Sequence, residues 1–156
     1  TANEGSLRQA LQMRLEMFTV EKDQGAFLNG HRLHVSNTAI LSRSLLATGF
    51  PYDIRESEEN NIAYFIGMAK KAQAIRRAGS AALDLAYVAA GRFDGFWELK
   101  LMPWDTAAGW LMVKEAGGEV TDLLGKKYDL ASPNILATNG AIHKAMIEAL
   151  SSSLTT

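Results

Sequence analysis

The chain contains no cysteine. Disulfides, thiol nucleophiles and thiolate metal sites are therefore excluded, and a cytoplasmic setting is the expectation. No stretch approaches the roughly 20 consecutive apolar residues of a membrane span, and Thr1 onward lacks the apolar core of a secretory signal. A block of like charge is also missing. Sixteen basic residues stand against seventeen acidic ones, a formal net charge of -1, so there is no basic stripe and no nucleic-acid partner is expected. G-x-S-x-G, G-x-G-x-x-G and Walker sequences do not occur, which removes the common serine-hydrolase and nucleotide-binding signatures. His31, His34 and His143 lack metal-ligand spacing and read as surface or structural residues.

What is there suits a globular domain. A hydrophobic content of 47% with 21% charged residues argues against disorder and fibrous classes. At 156 residues folding buries roughly 70% of the unfolded chain's surface, enough for one sizeable core. The organisation divides into an N-terminal segment over 1–17, a main domain over 18–150 and a frayed tail over 151–156. In the first segment Leu7, Leu11 and Leu15 are spaced as in an amphipathic helix, whereas Glu16 to Val20 alternates like a strand; both readings stay open for Ser6 to Leu15.

From Phe18 the pattern predicts two or three short strands, with turns at Asp23 to Gly25 and at Asn29-Gly30. Leu45 to Thr48 reads as a strand ended by Gly49 and Pro51. The following helix should bury Ile62, Phe65, Ile66 and Ala69. Ala72 to Arg77 reads as helix continuation or a short strand. Ser80 caps a helix over Ala81 to Ala90 that Gly91 stops, and a strand fits Phe93 to Leu99. Asp105 caps the next helix, which Gly117-Gly118 closes. Strands at Glu119 to Asp122 and Asn134 to Thr138 precede a helix over Ala141 to Leu150. Strands alternating with helices from Leu45 onward predict an α/β layered sandwich, a mixed β-sheet flanked by helices on both faces.

Three polar elements of this pattern converge: the Gly79-Ser80 turn, Glu98 near a strand end and Asp105 at a helix start. α/β proteins put ligands at such places. Asp105 suits a hard cation such as Mg²⁺, which takes one or two carboxylates beside waters; it also suits an ordinary helix cap. Glu98 offers up to four acceptor sites to a polyol, or is a solvated strand-edge carboxylate. Gly79, Ser80 and Ala81 can hold an anion through free backbone N–H groups, or form a plain capped turn. Arg76 and Arg77 could reach a phosphate or an interface. Trp97, Trp104 and Trp110 read as core.

GSAALDLAYVAAGRFDGFWE followed by PWDTAAGWLMVKEAGGEVTD resembles the C-terminal signature of the inositol monophosphatase family, metal-dependent phosphomonoesterases, and the likeness extends more loosely from Phe18 to Leu150. The resemblance implies an α/β domain like the C-terminal domain of that family over 18–150. It favours a strand before the Gly79 turn and extended chain near Glu16. It implies Asp105 as a ligand of catalytic Mg²⁺, Glu98 as an acceptor from substrate hydroxyls, and Gly79, Ser80 and Ala81 as a substrate-contacting turn for an inositol or sugar phosphate. In the family the other metal ligands are an upstream glutamate and a D-P-I-D-G-T type motif of the N-terminal half, and no equivalent is found here, neither at Phe93 to Gly95 nor at Tyr52-Asp53. The chain thus reads as half of such a protein, able to hydrolyse phosphomonoesters only with the rest of the site, or as a non-catalytic sugar-phosphate-binding or protein-interaction domain. Apolar surface that another half would cover predicts a homo-oligomer, most simply a dimer.

Overall fold

The computed structural model describes residues 15–154. Most of the predicted N-terminal segment lies outside them, and with it all of the open choice for Ser6 to Leu15 but Leu15 itself. The described chain begins with an antiparallel three-stranded sheet of β1 (Phe18–Glu21), β2 (Gly25–Leu28) and β3 (His31–Arg32). Asn29 and Gly30 both take positive φ, 49° and 79°, as a two-residue hairpin turn demands. Glu115 fastens the other turn, its carboxylate accepting the N–H groups of Asp23 and Gly25 at 2.9 Å each.

A five-stranded sheet carries the rest, in the order β5-β4-β6-β8-β7. Its strands are β4 (Leu45–Thr48), β5 (Ala74–Arg76), β6 (Gly95–Glu98), β7 (Glu119–Thr121) and β8 (Ile135–Thr138). β4 runs parallel to both neighbours, while β8 is antiparallel to β6 and β7, so the sheet is mixed as expected. Buried Asp94 locks β4 beside β6 by accepting the Leu45 N–H at 2.7 Å.

Period-two alternation sends successive side chains to opposite faces. Ala47, Phe96, Ile135 and Ala137 meet helices α2 (Ala81–Ala89) and α3 (Pro103–Glu115) on one face. Leu46, Trp97 and Leu136 meet α1 (Ile62–Ala69) and α4 (His143–Ser152) on the other. The two helices of the first face cross closely, since a β-carbon on Gly109 would lie 2.5 Å from Leu85 Cβ.

Three expectations need correction. The face of α1 turned to the core is that of Met68; Ile62 and Ile66 are 44% and 50% exposed. Trp104 is 75% exposed, leaving Trp97 as the fully buried tryptophan. The last helix spans His143–Ser152 rather than Ala141 to Leu150, with Ser152 and Ser153 hydroxyls bonded to the Ala149 carbonyl. Between the two open readings of Ala72 to Arg77, the strand is found. His143 is structural: buried, with its ring nitrogens 3.0 and 2.9 Å from the Thr121 and Thr138 hydroxyls, and burial lowers its pKa.

Candidate functional site

The connections leaving β4, β5 and β6 diverge. β4 leads to α1 on one face and β5 to α2 on the other, which opens a crevice beyond the carboxyl ends of the parallel strands. Parallel sheets put ligands at such switch points. Here the crevice is a cleft of about 1130 Å³. Gly79, Ser80, Ala81, Glu98 and Asp105 all line it. The sequence thus picked residues from three separate elements, a strand end and two helix starts, that the fold brings to one cavity.

Each wall has a local cause. Gly79 has φ 92°, a conformation open to glycine, and it turns the chain from β5 into α2. Ser80 then caps α2, its hydroxyl accepting the Leu83 N–H at 3.4 Å. The first-turn N–H groups of Ala81 and Ala82 have no acceptor within the helix and lie at its positive end. Arg77 lines the same wall; Arg76 does not.

Asp105 sits one turn later than a cap would. Pro103 occupies the first position of α3 and Met102 precedes it, so Asp105 is the third helical residue and accepts the Met102 N–H at 3.0 Å. That bond orients the carboxylate at the helix N-terminus.

Glu98 ends β6, half-buried, against Gly49 at the end of β4; any side chain at position 49 would strike its carboxylate. Burial, followed by the negative charges of Asp84 and Asp105, pushes the Glu98 carboxyl up to about 7, and Arg77 offsets part of this. An acceptor poised near neutrality results.

Three features of the cleft escaped the sequence reading. Asp84 lines it, 1% exposed, with Oδ1 lacking a hydrogen-bond partner among the described residues, and burial raises its pKa to about 6. Asn61 lies behind the wall, 2% exposed and in a left-handed conformation. Its amide donates to the Gly49 carbonyl at 2.6 Å and to Thr48 Oγ1 at 2.9 Å, while its oxygen accepts Trp97 Nε1–H at 2.7 Å. The Gly49 turn is thereby held against β6. Lys100, at φ 58°, reaches Asp53 at 2.8 Å and the Ser57 hydroxyl at 2.7 Å, tying the floor to the loop after Pro51. An acid in a first helical turn, an asparagine before a helix and a lysine after a strand are all ordinary surface patterns.

A magnesium ion takes a set of oxygen donors. Asp105 is a suitable oxygen ligand, but among the described residues no group of three or more His, Cys, Asp or Glu side chains is placed to hold a metal. A complete magnesium centre does not fit these residues. Also among them, no helix is long and apolar enough to cross a membrane.

Comparison with known proteins gives consistent likenesses. The family model described as the inositol monophosphatase family matches residues 5–155. An inositol-1-monophosphatase of Synechocystis is 47% identical over 137 residues, covering 88% of this chain and 48% of that protein. The Nus factor SuhB of Escherichia coli K12 is 48% identical over 135 residues, covering 86% and 51%. Among solved structures, an inositol monophosphatase from Anabaena superposes with a TM-score of 0.87 at 46% identity, over 90% of this chain and 56% of that one. The chain spans about half the length of the curated relatives it matches.

Proposed function

The chain belongs to the inositol monophosphatase family, and on that premise we propose that its cleft is the substrate-recognising part of a magnesium-dependent phosphomonoester hydrolase acting on an inositol or sugar phosphate. The observation that carries this reading is the shared cavity of Gly79, Ser80, Ala81, Glu98 and Asp105. In it, ionised Glu98 accepts hydrogen bonds from ring hydroxyls. The free N–H groups opening α2, with Arg77 beside them, receive an acceptor oxygen of the ligand. Asp105, held by the Met102 N–H, would supply one oxygen to a magnesium ion whose other ligands the described residues do not provide.

Phosphomonoester hydrolysis needs several carboxylates around its metals. The described residues do not supply that set, so no hydrolytic step is assigned to them; hydrolysis belongs to the proposal for the whole protein. The same observation favours a second reading, a domain that binds a sugar phosphate without reacting.

One titration of this chain tests the cleft and the completeness of its metal set. Inositol monophosphate is added with increasing magnesium, calorimetry recording binding and phosphate release recording turnover, and EDTA as control. Binding without release supports the cleft as a polyol-phosphate site and is the result both readings expect of this chain. EDTA-sensitive release supports the first and contradicts the incompleteness of the metal set. Absence of binding removes both. The same titration on the whole protein separates the readings, release supporting the first and binding alone the second.

A further inference from the structure

We propose that Asp84 is a specificity-determining residue of this cleft, a hydroxyl acceptor that works beside Glu98 so that adjacent hydroxyls of a cyclic polyol are taken one by each carboxylate. The inference rests on the reading of the cleft as a polyol-phosphate site.

The geometry begins with burial. Asp84 is 1% exposed and borders the cleft, yet its Oδ1 meets no donor among the described residues. A buried carboxylate oxygen without a donor is a costly feature. Position 84 does not call for it structurally: the Ser80 hydroxyl already caps α2, and the side chains around α2 are those of an apolar core. The missing donor is therefore sought in what fills the cleft.

The chemistry of that donor is constrained from three sides. Asp84 and Glu98 both line the cleft, so the two carboxyls border one space. Among the described residues the two join no group of three or more His, Cys, Asp or Glu side chains placed to hold a metal. At the start of the same helix, Ala81 and Ala82 present N–H donors. A ligand that fits gives two hydroxyl protons to one wall and an acceptor oxygen to the next. A phosphorylated ring polyol has that pattern, whereas inorganic phosphate and a phosphate ester with a single free hydroxyl do not.

The test is a cycle of ligand against variant. Wild-type chain and Asp84→Asn are titrated by calorimetry with inositol monophosphate, with its monodeoxy analogues and with inorganic phosphate, thermal melting confirming that the variant is folded. A hydrogen bond to a charged partner is worth about 1.5–3 kcal/mol, or roughly 10–100-fold in affinity. Asp84→Asn should lose about tenfold on inositol monophosphate and nothing on inorganic phosphate. One monodeoxy analogue should bind both proteins alike. Equal losses on every ligand, or no loss on inositol monophosphate, overturn the assignment and leave the reading of the cleft intact. Failure of the wild type to bind inositol monophosphate overturns both. A crystal structure of the wild-type chain with inositol monophosphate gives a readout free of any folding effect. A ligand hydroxyl bonded to Asp84 Oδ1 supports the proposal, and an ordered water in that place with the ring elsewhere refutes it.

Discussion

Gly49 and Glu98 meet across the ends of β4 and β6 with no room for a β-carbon between them. The preceding pair, Thr48 and Trp97, is in register across the two parallel strands, and the Thr48 hydroxyl donates to the Trp97 carbonyl at 2.7 Å. The acceptor of the cleft is thus aimed by the backbone of the neighbouring strand.

Gly49→Ala tests that relationship. Its φ is not in the left-handed region, so alanine is tolerated by the backbone. The atoms it meets are the far end of a side chain, which can swing away, so stability should change by less than about 1 kcal/mol. The displaced carboxylate no longer faces the ligand, and affinity for inositol monophosphate should fall at least about tenfold. Thermal melting and calorimetry on one sample check both halves. Unchanged binding would mean that Glu98 does not need this wall.

Asn61 underlies the same geometry from behind. Asn61→Ala strands the Trp97 indole N–H and the Gly49 carbonyl inside the protein, at about 1–3 kcal/mol each, and places alanine at φ 71°, about 1 kcal/mol more. A loss on the order of 4 kcal/mol is expected from urea unfolding. A loss below about 1 kcal/mol would show that water replaces the amide.

How much of this was legible depends on whether a residue's role is local. Asn29-Gly30, the Leu45–Thr48 strand and the Ser80 cap are decided by the dihedral freedom or hydrogen bonding of a few consecutive residues, and each was found where expected. The helix over 62–69 was legible as a helix, but its inward face was not. Ile62, Phe65 and Ile66 have the spacing of a stripe, while contact with Leu46 and Trp97 from distant strands selects Met68 instead. Asp84 illustrates the same limit within the site. Its neighbours in sequence suggest a favourable charge at a helix start, and its meaning comes from the cleft it shares with Glu98 of β6.

The misread face of α1 carries a prediction of its own. Ile62 and Ile66, one turn apart and about half exposed, form an apolar edge suited to self-association, and a dimer of this chain is expected to use it. Sedimentation velocity should find a dimer for the wild type and a monomer for the double variant Ile62→Glu, Ile66→Glu, with the melting temperature unchanged. A wild type that stays monomeric at high concentration sinks the idea.

The buried carboxyls should also leave a signature in stability against pH. Burial raises Asp84 from 3.8 to about 6, so between these values the folded chain holds a proton that the unfolded chain has released. Stability then falls as pH rises from about 4 through 6, because the folded state must ionise a carboxyl that lacks a donor. Glu98, raised from 4.5 to about 7 by burial and by the charges of Asp84 and Asp105, extends the decline toward neutrality. Two pKa units correspond to about 3 kcal/mol, an upper bound for Asp84. Asp84→Asn, which never ionises, should match the wild type near pH 4 and exceed it by up to that amount at pH 8, as read from urea midpoints across the range. This gain runs opposite to the loss of polyol binding expected of the same variant. A residue kept only for the fold would lose stability on replacement, whereas one kept for a ligand gains it when the ligand is absent.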